Sequence, residues 1–396
     1  MNVLLLTDNI DGTGVCVDVK FLKDNLVDKC NVTVIHFGDL HDPKVNVYSL
    51  NKLSFFDKYK EFKRIITDNN INIAHIRGLM SGNHMIWFTL LIVNNIPYLI
   101  SPSSQLNYYN LNNKLFYEEP DINSLDDSHK SKISYRKKLV IKFIPFLKRL
   151  YLRTVGKFVI SRCKGLICFS EFEKKFAVNY KKKIYVVKEP NLLDDIASDK
   201  TAIKCDTYSS ETINIVYWGR LDYYLKGIDR LIDMCILMKN EFKDSNILIH
   251  LMGPDYNGGL KKIRKAVADN KLENIIKIYG KDVWKGSNLP LVCADYSVLL
   301  SRWDGYPRAL RESVSFGVPV LVSEETNFWD IVTETGCGYR LDGNIDTTRD
   351  VIKNIVNTKN YPQKLKGCLL AQKLLSKKAA LNNLVNVYRE CYESSR

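Results

Sequence analysis

Short apolar runs alternate with helical patterns along most of the chain. The runs are four to seven residues long and continuously apolar, which is typical of strands whose two faces are both covered by helices. This pattern predicts an α/β protein with two doubly wound parallel sheets in tandem, each forming a Rossmann-like domain. The predicted strands are Val3–Leu6, Val32–Phe37, Ile71–Ile76, Tyr98–Ile100, Leu166–Phe169, Ile184–Val187, Ile213–Trp218, Ile247–Met252, Ile275–Tyr279, Tyr296–Leu300 and Val318–Val322.

A polar stretch separates the two halves of this pattern. Residues 194–211 are polar and have little periodicity, so we predict the interdomain linker there. The N-terminal domain is then predicted over residues 1–193 and the second domain over residues 212–369. The chain after Tyr361 has a helical pattern and no strand follows it. This tail either covers the second domain or reaches back to the first.

Composition and charge narrow the class of protein. The 396 residues are 45% apolar and 26% charged, which is ordinary globular usage and excludes a disordered or low-complexity chain. Lys and Arg outnumber Asp and Glu by 58 to 44, and the net charge of +14 predicts an anionic partner. The ten cysteines lack metal-site spacing, and several lie in apolar runs, so we expect neither a zinc site nor a disulfide framework. We therefore expect a cytoplasmic protein, without a signal peptide or a membrane-spanning segment.

Much of the positive charge lies in one segment. Residues 130–164 carry twelve Lys and Arg and no Asp or Glu, interleaved with apolar and aromatic residues at helical spacing. This pattern suits an interfacial helix on an anionic lipid surface. An ordinary domain helix with one solvated face remains an alternative, and nucleic acid is disfavoured because no nucleic-acid-binding motif accompanies the charge. The candidate membrane-contacting and acceptor-side residues are Arg136, Lys137, Lys138, Lys148 and Arg149.

Two loops at predicted strand ends could bind phosphate. Gly12 and Gly14 follow the first strand, where backbone N–H groups and a helix N-terminus could approach an anion, although a plain tight turn is equally compatible. Arg220 and Lys226 follow the strand Ile213–Trp218, just before a helix begins. Ligands bind at the carboxyl ends of such strands, and both cations suit a phosphate. An Arg220–Asp222 surface ion pair is the alternative interpretation.

The stretch after the strand Tyr296–Leu300 combines carboxylates with free backbone amides. Pro307 suits the first turn of a helix, which places Asp304 in the preceding loop and Glu312 about one and a half turns into the helix. Carboxylates accept hydrogen bonds from sugar hydroxyls, and the amides of Arg308 and Ala309 can donate to anionic oxygens. The alternative is that Asp304 caps the helix and Glu312 is a surface residue.

These motifs, in this order, resemble the signature of retaining GT-B glycosyltransferases of family 4, the group 1 type. The resemblance covers nearly the whole chain. It rests on Gly165–Ser170 with Glu171, Pro190-Asn191, Gly219-Arg220-Leu221 with Lys226-Gly227, Ala294-Asp295-Tyr296, the spacing from Asp304 to Glu312, and Gly317-Val318-Pro319-Val320. It implies two Rossmann-like domains facing a cleft, with a C-terminal helix from about residue 370 to 396 that returns to the first domain. It also implies a nucleotide-sugar donor, with a UDP-sugar favoured over a GDP-sugar, and neither cofactor nor metal.

The resemblance also assigns roles to single residues. Arg220 and Lys226 match residues that bind the diphosphate, and Glu312 matches the acid that holds the ribose. Asp304 matches the acid near the transferred sugar, so Asp304, Arg220 and Lys226 are the candidate catalytic residues. The remaining candidate donor contacts are Gly14, Tyr306, Arg308 and Ala309.

Two positions depart from the family pattern. Asp304 stands where Glu is usual, and Ser103 stands where many relatives have His. We therefore expect a shifted contact between Asp304 and the sugar, and no histidine-dependent role at Ser103.

The function predicted from the sequence is a metal-independent retaining hexosyltransferase at the inner face of the cell membrane. Its expected acceptor is a lipid-linked saccharide or an oligosaccharide in bacterial polysaccharide or lipopolysaccharide assembly. A catalytically inactive GT-B binding protein and a GT-B enzyme with a soluble acceptor are the alternatives.

Overall fold

The computed structural model divides the chain into two compact units. It describes residues 1–8, 15–26, 28–40, 42, 44, 46–103, 105–106, 146–190, 212–279, 291, 293–357 and 361–394, with only the backbone described for residues 15–18. Of these residues, 1–106, 146–190 and 377–394 form the first unit, and 212–376 form the second. The predicted linker, residues 194–211, lies outside the described part of the chain.

The first unit is built on a seven-stranded parallel sheet with the order β3-β2-β1-β4-β5-β6-β7. Its strands are β1 (Asn2–Leu6), β2 (Asn31–His36), β3 (Val47–Ser49), β4 (Ile73–Arg77), β5 (Tyr98–Ser101), β6 (Gly165–Cys168) and β7 (Ile184–Val186). Its helices up to residue 177 are α1 (Val15–Asn25), α2 (Phe55–Asp68), α3 (Gly82–Val93), α4 (Lys157–Arg162) and α5 (Glu171–Ala177). Helical residues 146–151 and a π-helical turn, Leu152–Gly156, lead into α4.

The second unit contains a six-stranded parallel sheet with the order β10-β9-β8-β11-β12-β13. Its strands are β8 (Ile213–Trp218), β9 (Ile247–Met252), β10 (Ile276–Tyr279), β11 (Tyr296–Leu299), β12 (Val320–Val322) and β13 (Gly338–Arg340). Its described helices are α6 (Ile228–Leu237), α7 (Lys239–Asp244), α8 (Gly259–Asp269), α9 (Arg308–Ser315), α10 (Trp329–Thr335), α11 (Ile345–Val356) and α12 (Tyr361–Leu374).

The two halves of the C-terminal tail belong to different units. Helix α12 packs on the second unit, where the Gln372 side chain donates to the carbonyls of Val314 (2.8 Å) and Ser315 (3.1 Å). Helix α13 (Lys377–Glu393) packs on the first unit instead. The returning helix therefore begins at Lys377, later than the sequence-based start near residue 370, because α12 has its own packing partners in the second unit.

Both faces of the first sheet are covered, which explains its continuously apolar strands. Helices α2 and α3 pack on one face, and α1 and α13 pack on the other. Tyr388 of α13 reaches the sheet itself, where its hydroxyl lies 2.7 Å from Nδ1 of His75. Nε2 of His75 lies 2.7 Å from the Ser101 hydroxyl. His75 is thus a packed core residue, and burial holds its pKa well below the usual value.

The fold class predicted from the sequence is confirmed, and each predicted strand has its counterpart. The sequence analysis missed β3 and β13, which have three residues each and include Ser49 and Arg340. Such short, partly polar edge strands carry too few apolar positions to stand out from a loop. Seven described cysteines are free and buried, as expected, whereas Cys293 forms a disulfide, which was not expected. Among the described residues, none of the helices combines the length and the apolar character needed to cross a bilayer.

A buried histidine makes the stability of the second unit depend on pH. His250 of β9 contacts Asn214 Oδ1 (3.0 Å) and the Tyr279 hydroxyl (3.1 Å), and burial lowers its pKa to about 4. In the unfolded chain a histidine has a pKa near 6.5, so below this pH the unfolded state binds a proton that the folded state does not. The stability that neutral His250 contributes is therefore lost as the pH falls from about 6.5 towards 4. We expect the free energy of unfolding to drop by about 2 kcal/mol between pH 7 and pH 5 from this residue. Calorimetry at both pH values should show a smaller drop for His250→Asn, and an equal drop in both proteins would contradict the assignment.

Candidate active site

The second sheet has a topological switch point between β8 and β11. From β8 the chain proceeds to β9 on one side, and from β11 it proceeds to β12 on the other side. Because the two connections leave in opposite directions, a crevice opens beyond the carboxyl ends of these two strands. Residues 219–227 follow β8 and residues 300–307 follow β11, so both predicted phosphate- and sugar-binding stretches of this unit meet there.

A glycine allows the two loops to touch. Gly227 has φ 67°, and a Cβ at this position would overlap the Leu300 carbonyl. The backbones are also joined by the Arg302 N–H, which donates to the Leu225 carbonyl at 3.0 Å. A side chain at position 227 would push the loops apart, so glycine is required both for the left-handed conformation and for the close approach.

This approach brings Lys226 and Asp304 together. Their side chains form an ion pair and are only 17% and 14% exposed, respectively. The Ser301 hydroxyl lies 3.4 Å from the same carboxylate oxygen. Asp304 does not cap a helix, because the residue before α9 is Pro307 and no side chain caps the helix there. Two of the three candidate catalytic residues are therefore in direct contact.

A second pair of side chains, missed in the sequence analysis, clamps the same loops. Arg302 donates to both oxygens of Asp229 at 2.6 and 2.7 Å and to the Tyr224 carbonyl at 2.6 Å. Its guanidinium also stacks on the Tyr224 ring, 3.8 Å from the centroid. Two parallel hydrogen bonds fix the direction of both partners. Arg302 and Asp229 are 73 positions apart, so only the fold could reveal that they form one unit.

The loop after β12 supports Asp304 from the other side. The Asp304 N–H donates to the Glu325 carbonyl at 3.2 Å, and the Asn327 side chain donates to the carbonyls of Asp304 and, at 2.9 Å, Gly305. Arg230 donates to the Glu325 carboxylate at 3.1 Å. Asp304 is therefore held by backbone contacts on a loop that is itself anchored.

Arg220 is the more exposed of the two candidate phosphate ligands. Its guanidinium lies over the Tyr256 ring, 4.4 Å from the centroid, and its carbonyl accepts a hydrogen bond from the buried Tyr217 hydroxyl at 2.6 Å. Asp222 accepts from the Leu225 N–H at 3.0 Å, and the described residues contain no Arg220–Asp222 ion pair. The backbone of Arg220 is thus fixed, while its charged end remains accessible to a ligand.

Helix α9 contributes the amides and the second carboxylate. Its first turn begins at Arg308, so the N–H groups of Arg308 and Ala309 have no acceptor within the helix. Glu312 is buried and accepts from Arg308 Nε at 2.7 Å, so it is not a surface residue. Tyr306 is buried against Phe328, with ring centroids 5.9 Å apart.

The remaining predicted residues lie elsewhere or outside the described part of the chain. Gly14, Arg136, Lys137 and Lys138 are not among the described residues. Lys148 and Arg149 belong to the helix of the first unit that covers residues 146–162. Arg149 is exposed, whereas Lys148 is half-buried and burial lowers its pKa.

The same helix exposes a row of large apolar side chains. Their exposed fractions are 60% for Phe146, 50% for Leu147, 47% for Leu150 and 49% for Phe158. Arg149, Arg153 and Lys157 are exposed between them. Large exposed apolar side chains are unusual on a purely solvated helix face.

Part of the chain, including most of the second unit, matches a known protein family. Residues 203–367 match the family described as glycosyl transferases group 1. The chain is also 25% identical, over 258 residues, to an uncharacterized 41.2 kDa protein in the cps region of Klebsiella pneumoniae. That match covers 62% of this chain and 66% of the relative, so it spans just under two thirds of the relative's length.

Solved structures similar to this chain are glycosyltransferases and a related synthase. The sucrose-phosphate synthase of Thermosynechococcus elongatus has a TM-score of 0.67 at 14% identity, over 99% of both chains. WaaG, a glycosyltransferase involved in lipopolysaccharide biosynthesis, has a TM-score of 0.57 at 12% identity, over 98% of this chain and 99% of the other. Anabaena HepE, in complex with UDP-glucose, has a TM-score of 0.59 at 12% identity, over 98% and 100%. These similarities show the GT-B fold, and with the family match they confirm the predicted resemblance to group 1 glycosyltransferases.

The close approach at Gly227 can be tested with a matched pair of variants. Gly227 and Gly336 have φ values of 67° and 71°, but a Cβ at Gly336 would meet nothing within 4 Å. Gly336→Ala should lower the free energy of unfolding by about 1–2 kcal/mol, because alanine disfavours the left-handed conformation. Gly227→Ala should add an overlap with the Leu300 carbonyl and cost about 1–3 kcal/mol more. Urea unfolding measures both, and equal destabilisation would show that the close approach is not required.

Proposed function

We propose that this chain, which has the GT-B fold and whose second unit matches the group 1 glycosyl transferases, moves a sugar from a nucleoside-diphosphate sugar to a saccharide acceptor. The observation that carries the proposal is the contact between the Lys226 and Asp304 side chains at the switch point of the second sheet. This contact supports the proposal, because a cation suited to a diphosphate adjoins a carboxylate suited to sugar hydroxyls.

The donor is proposed to bind along this crevice. Arg220 and Lys226 bind the diphosphate, assisted by the N–H groups of Arg308 and Ala309 at the start of α9. Glu312 accepts a hydrogen bond from the ribose, and Asp304 contacts the transferred sugar near Tyr306. A UDP-sugar is favoured as donor, in keeping with the UDP-glucose bound by the structurally similar HepE.

The proposed transfer retains the configuration of the donor sugar. The leaving diphosphate accepts the proton of the acceptor hydroxyl on the same face of the sugar, so no protein base is needed. The enzyme then acts by orienting both substrates and by stabilising the charge that develops on the departing phosphate, which is the task of Arg220 and Lys226. We propose that this chemistry needs no metal ion.

Lys226→Ala and Arg220→Ala test this assignment. Each change removes a cation from the departing diphosphate, and we expect a loss of about 2–4 kcal/mol of transition-state stabilisation. This loss corresponds to roughly 30- to 1000-fold in rate. The measurement is the turnover of a UDP-sugar in the presence of EDTA, with Lys262→Ala, an exposed lysine on α8, as the matched control.

Two outcomes would contradict the assignment. Near wild-type turnover of both variants would remove Arg220 and Lys226 from the reaction. A wild-type enzyme that EDTA inactivates and added divalent cation restores would show metal-dependent chemistry instead. UDP-sugar binding without turnover, with any saccharide acceptor, would favour the alternative of an inactive GT-B binding protein.

We further propose that the enzyme works at the cytoplasmic face of a membrane on a lipid-linked acceptor, in capsular polysaccharide or lipopolysaccharide synthesis. The exposed row of Phe146, Leu147, Leu150 and Phe158 supports this, because apolar side chains flanked by basic ones suit the boundary between acyl chains and anionic headgroups. The structurally similar WaaG is a glycosyltransferase involved in lipopolysaccharide biosynthesis.

The membrane proposal can be tested by charge reversal on this helix. Replacing Arg149, Arg153 and Lys157 with Glu removes three basic groups that each contribute about 1 kcal/mol near an anionic surface. We expect co-sedimentation with vesicles of phosphatidylglycerol and phosphatidylcholine to be lost while UDP binding is unchanged. The control replaces the exposed Lys262, Arg264 and Lys265 of α8, with the same change in net charge. Equal sedimentation of both variants would contradict a lipid-facing role for the helix.

A further inference from the structure

The second unit contains a cavity that the proposed transfer does not use. It has a volume of about 430 Å³ and lies between α6, the start of α11 and the segments that follow β12 and β13. None of the candidate donor-binding residues lines it. The volume lies within the range of about 300–1,000 Å³ that is typical of small-molecule sites.

The cavity has an apolar wall with an aromatic ring. Met234, Leu237 and Trp329 contribute to this wall, and Leu237 is 64% exposed at the surface of α6. Arg340 covers one part of the Trp329 ring, 4.6 Å from the centroid, which helps to hold the indole in place. An exposed leucine beside a fixed indole offers apolar surface to a ligand with an apolar face.

The polar lining of the cavity is acidic, whereas the protein as a whole is basic. Four carboxylates, those of Asp233, Glu324, Glu325 and Asp342, line the cavity together with a single guanidinium, that of Arg230. Arg230 is bound to both oxygens of Glu325, at 3.1 and 3.4 Å. An acidic cavity in a chain of net charge +14 favours a cationic ligand.

Asp233 and Asp342 offer acceptor atoms to such a ligand. The Asp233 carboxylate has no hydrogen bond or ion pair among the described residues, and burial and the neighbouring Asp229 raise its pKa. Asp233 is exposed and therefore accessible to a cation. Asp342 accepts from the Asn344 N–H (2.9 Å) and the Thr347 hydroxyl (2.6 Å) through Oδ1 alone, so Oδ2 is oriented and can accept from a ligand hydroxyl.

We propose that this cavity binds a sugar that carries a free protonated amine. The three features together select this class: the apolar wall takes the C–H face of the sugar ring, the oriented Asp342 carboxylate accepts from a hydroxyl, and the Asp233 carboxylate takes the ammonium group. A neutral sugar offers Asp233 no cation, and a simple quaternary amine offers Asp342 no hydroxyl. The inference does not depend on the proposed transfer reaction.

The cavity is close to the candidate active site through one loop. Glu324 and Glu325 line the cavity, and the carbonyl of Glu325 accepts the hydrogen bond from the Asp304 N–H. A ligand in the cavity therefore contacts the loop that supports Asp304, without occupying the donor crevice.

Isothermal titration of the full chain with four probes tests the proposal. The probes are D-glucosamine, N-acetylglucosamine, glucose and choline, which separate the contributions of the ammonium group and the hydroxyls. We expect glucosamine to bind about tenfold more tightly than each of the other three, the scale of one hydrogen bond to a charged group. Equal affinity for glucose and glucosamine, tighter binding of choline, or no detectable binding of glucosamine would each overturn the proposal.

Variants locate the binding within the chain. Asp233→Asn keeps the shape of the side chain and removes its charge, and it should weaken glucosamine binding about tenfold. The matched control is Asp350→Asn on α11, an exposed residue that does not line the cavity. The thermal unfolding curve followed by circular dichroism should be unchanged in both variants, which verifies that the second unit is folded. An undiminished affinity of Asp233→Asn for glucosamine would place the binding elsewhere and overturn the assignment of this cavity.

Discussion

The candidate active site depends on the contact between the Gly227 backbone and the Leu300 carbonyl. These residues follow two different strands of the second sheet, and their contact sets the distance between the loops after β8 and β11. Lys226, which precedes Gly227, is thereby placed against Asp304. The Arg302–Asp229 pair then joins the loop after β11 to the first turn of α6 with two parallel hydrogen bonds. A side chain at position 227 would push these two loops apart and shift Lys226 relative to Asp304.

The charged side chains at this crevice form pairs, and we propose that a donor binds to members of these pairs. Lys226 and Asp304 are largely buried, so loss of either would leave its partner as an uncompensated charge. Arg308 pairs with Glu312, and Arg220 rests on Tyr256. A diphosphate offers the cations a second partner, and sugar hydroxyls offer hydrogen atoms to the carboxylates. Each charged side chain therefore has a partner when no ligand is present, and it can still bind a ligand.

The first unit is stabilised by a helix that the chain supplies last. Tyr388 of α13 reaches His75 in β4, and Lys29 donates to Asn382 at 2.7 Å. Helix α13 covers part of an apolar face of the first sheet. The core on that face therefore includes residues of α13. The helix of residues 146–162 covers part of the other face and still exposes Phe146, Leu147 and Phe158. Its inner side packs in the core, while its outer side is exposed to solvent.

The sequence alone determined the fold class and most strands, and its family resemblance implied the candidate roles of Arg220, Lys226, Asp304 and Glu312. Continuous apolar runs identify buried parallel strands, because their pattern depends only on local periodicity. Which residues meet was decided by the tertiary structure: it pairs Arg302 with Asp229 and Lys226 with Asp304, and it sets the start of the returning helix at Lys377. Strands β3 and β13 were also recognisable only from their pairing with β2 and β12, respectively. The reason is physical, since side chains some 70 or more positions apart become partners only when parallel strands bring their loops to the same edge of a sheet.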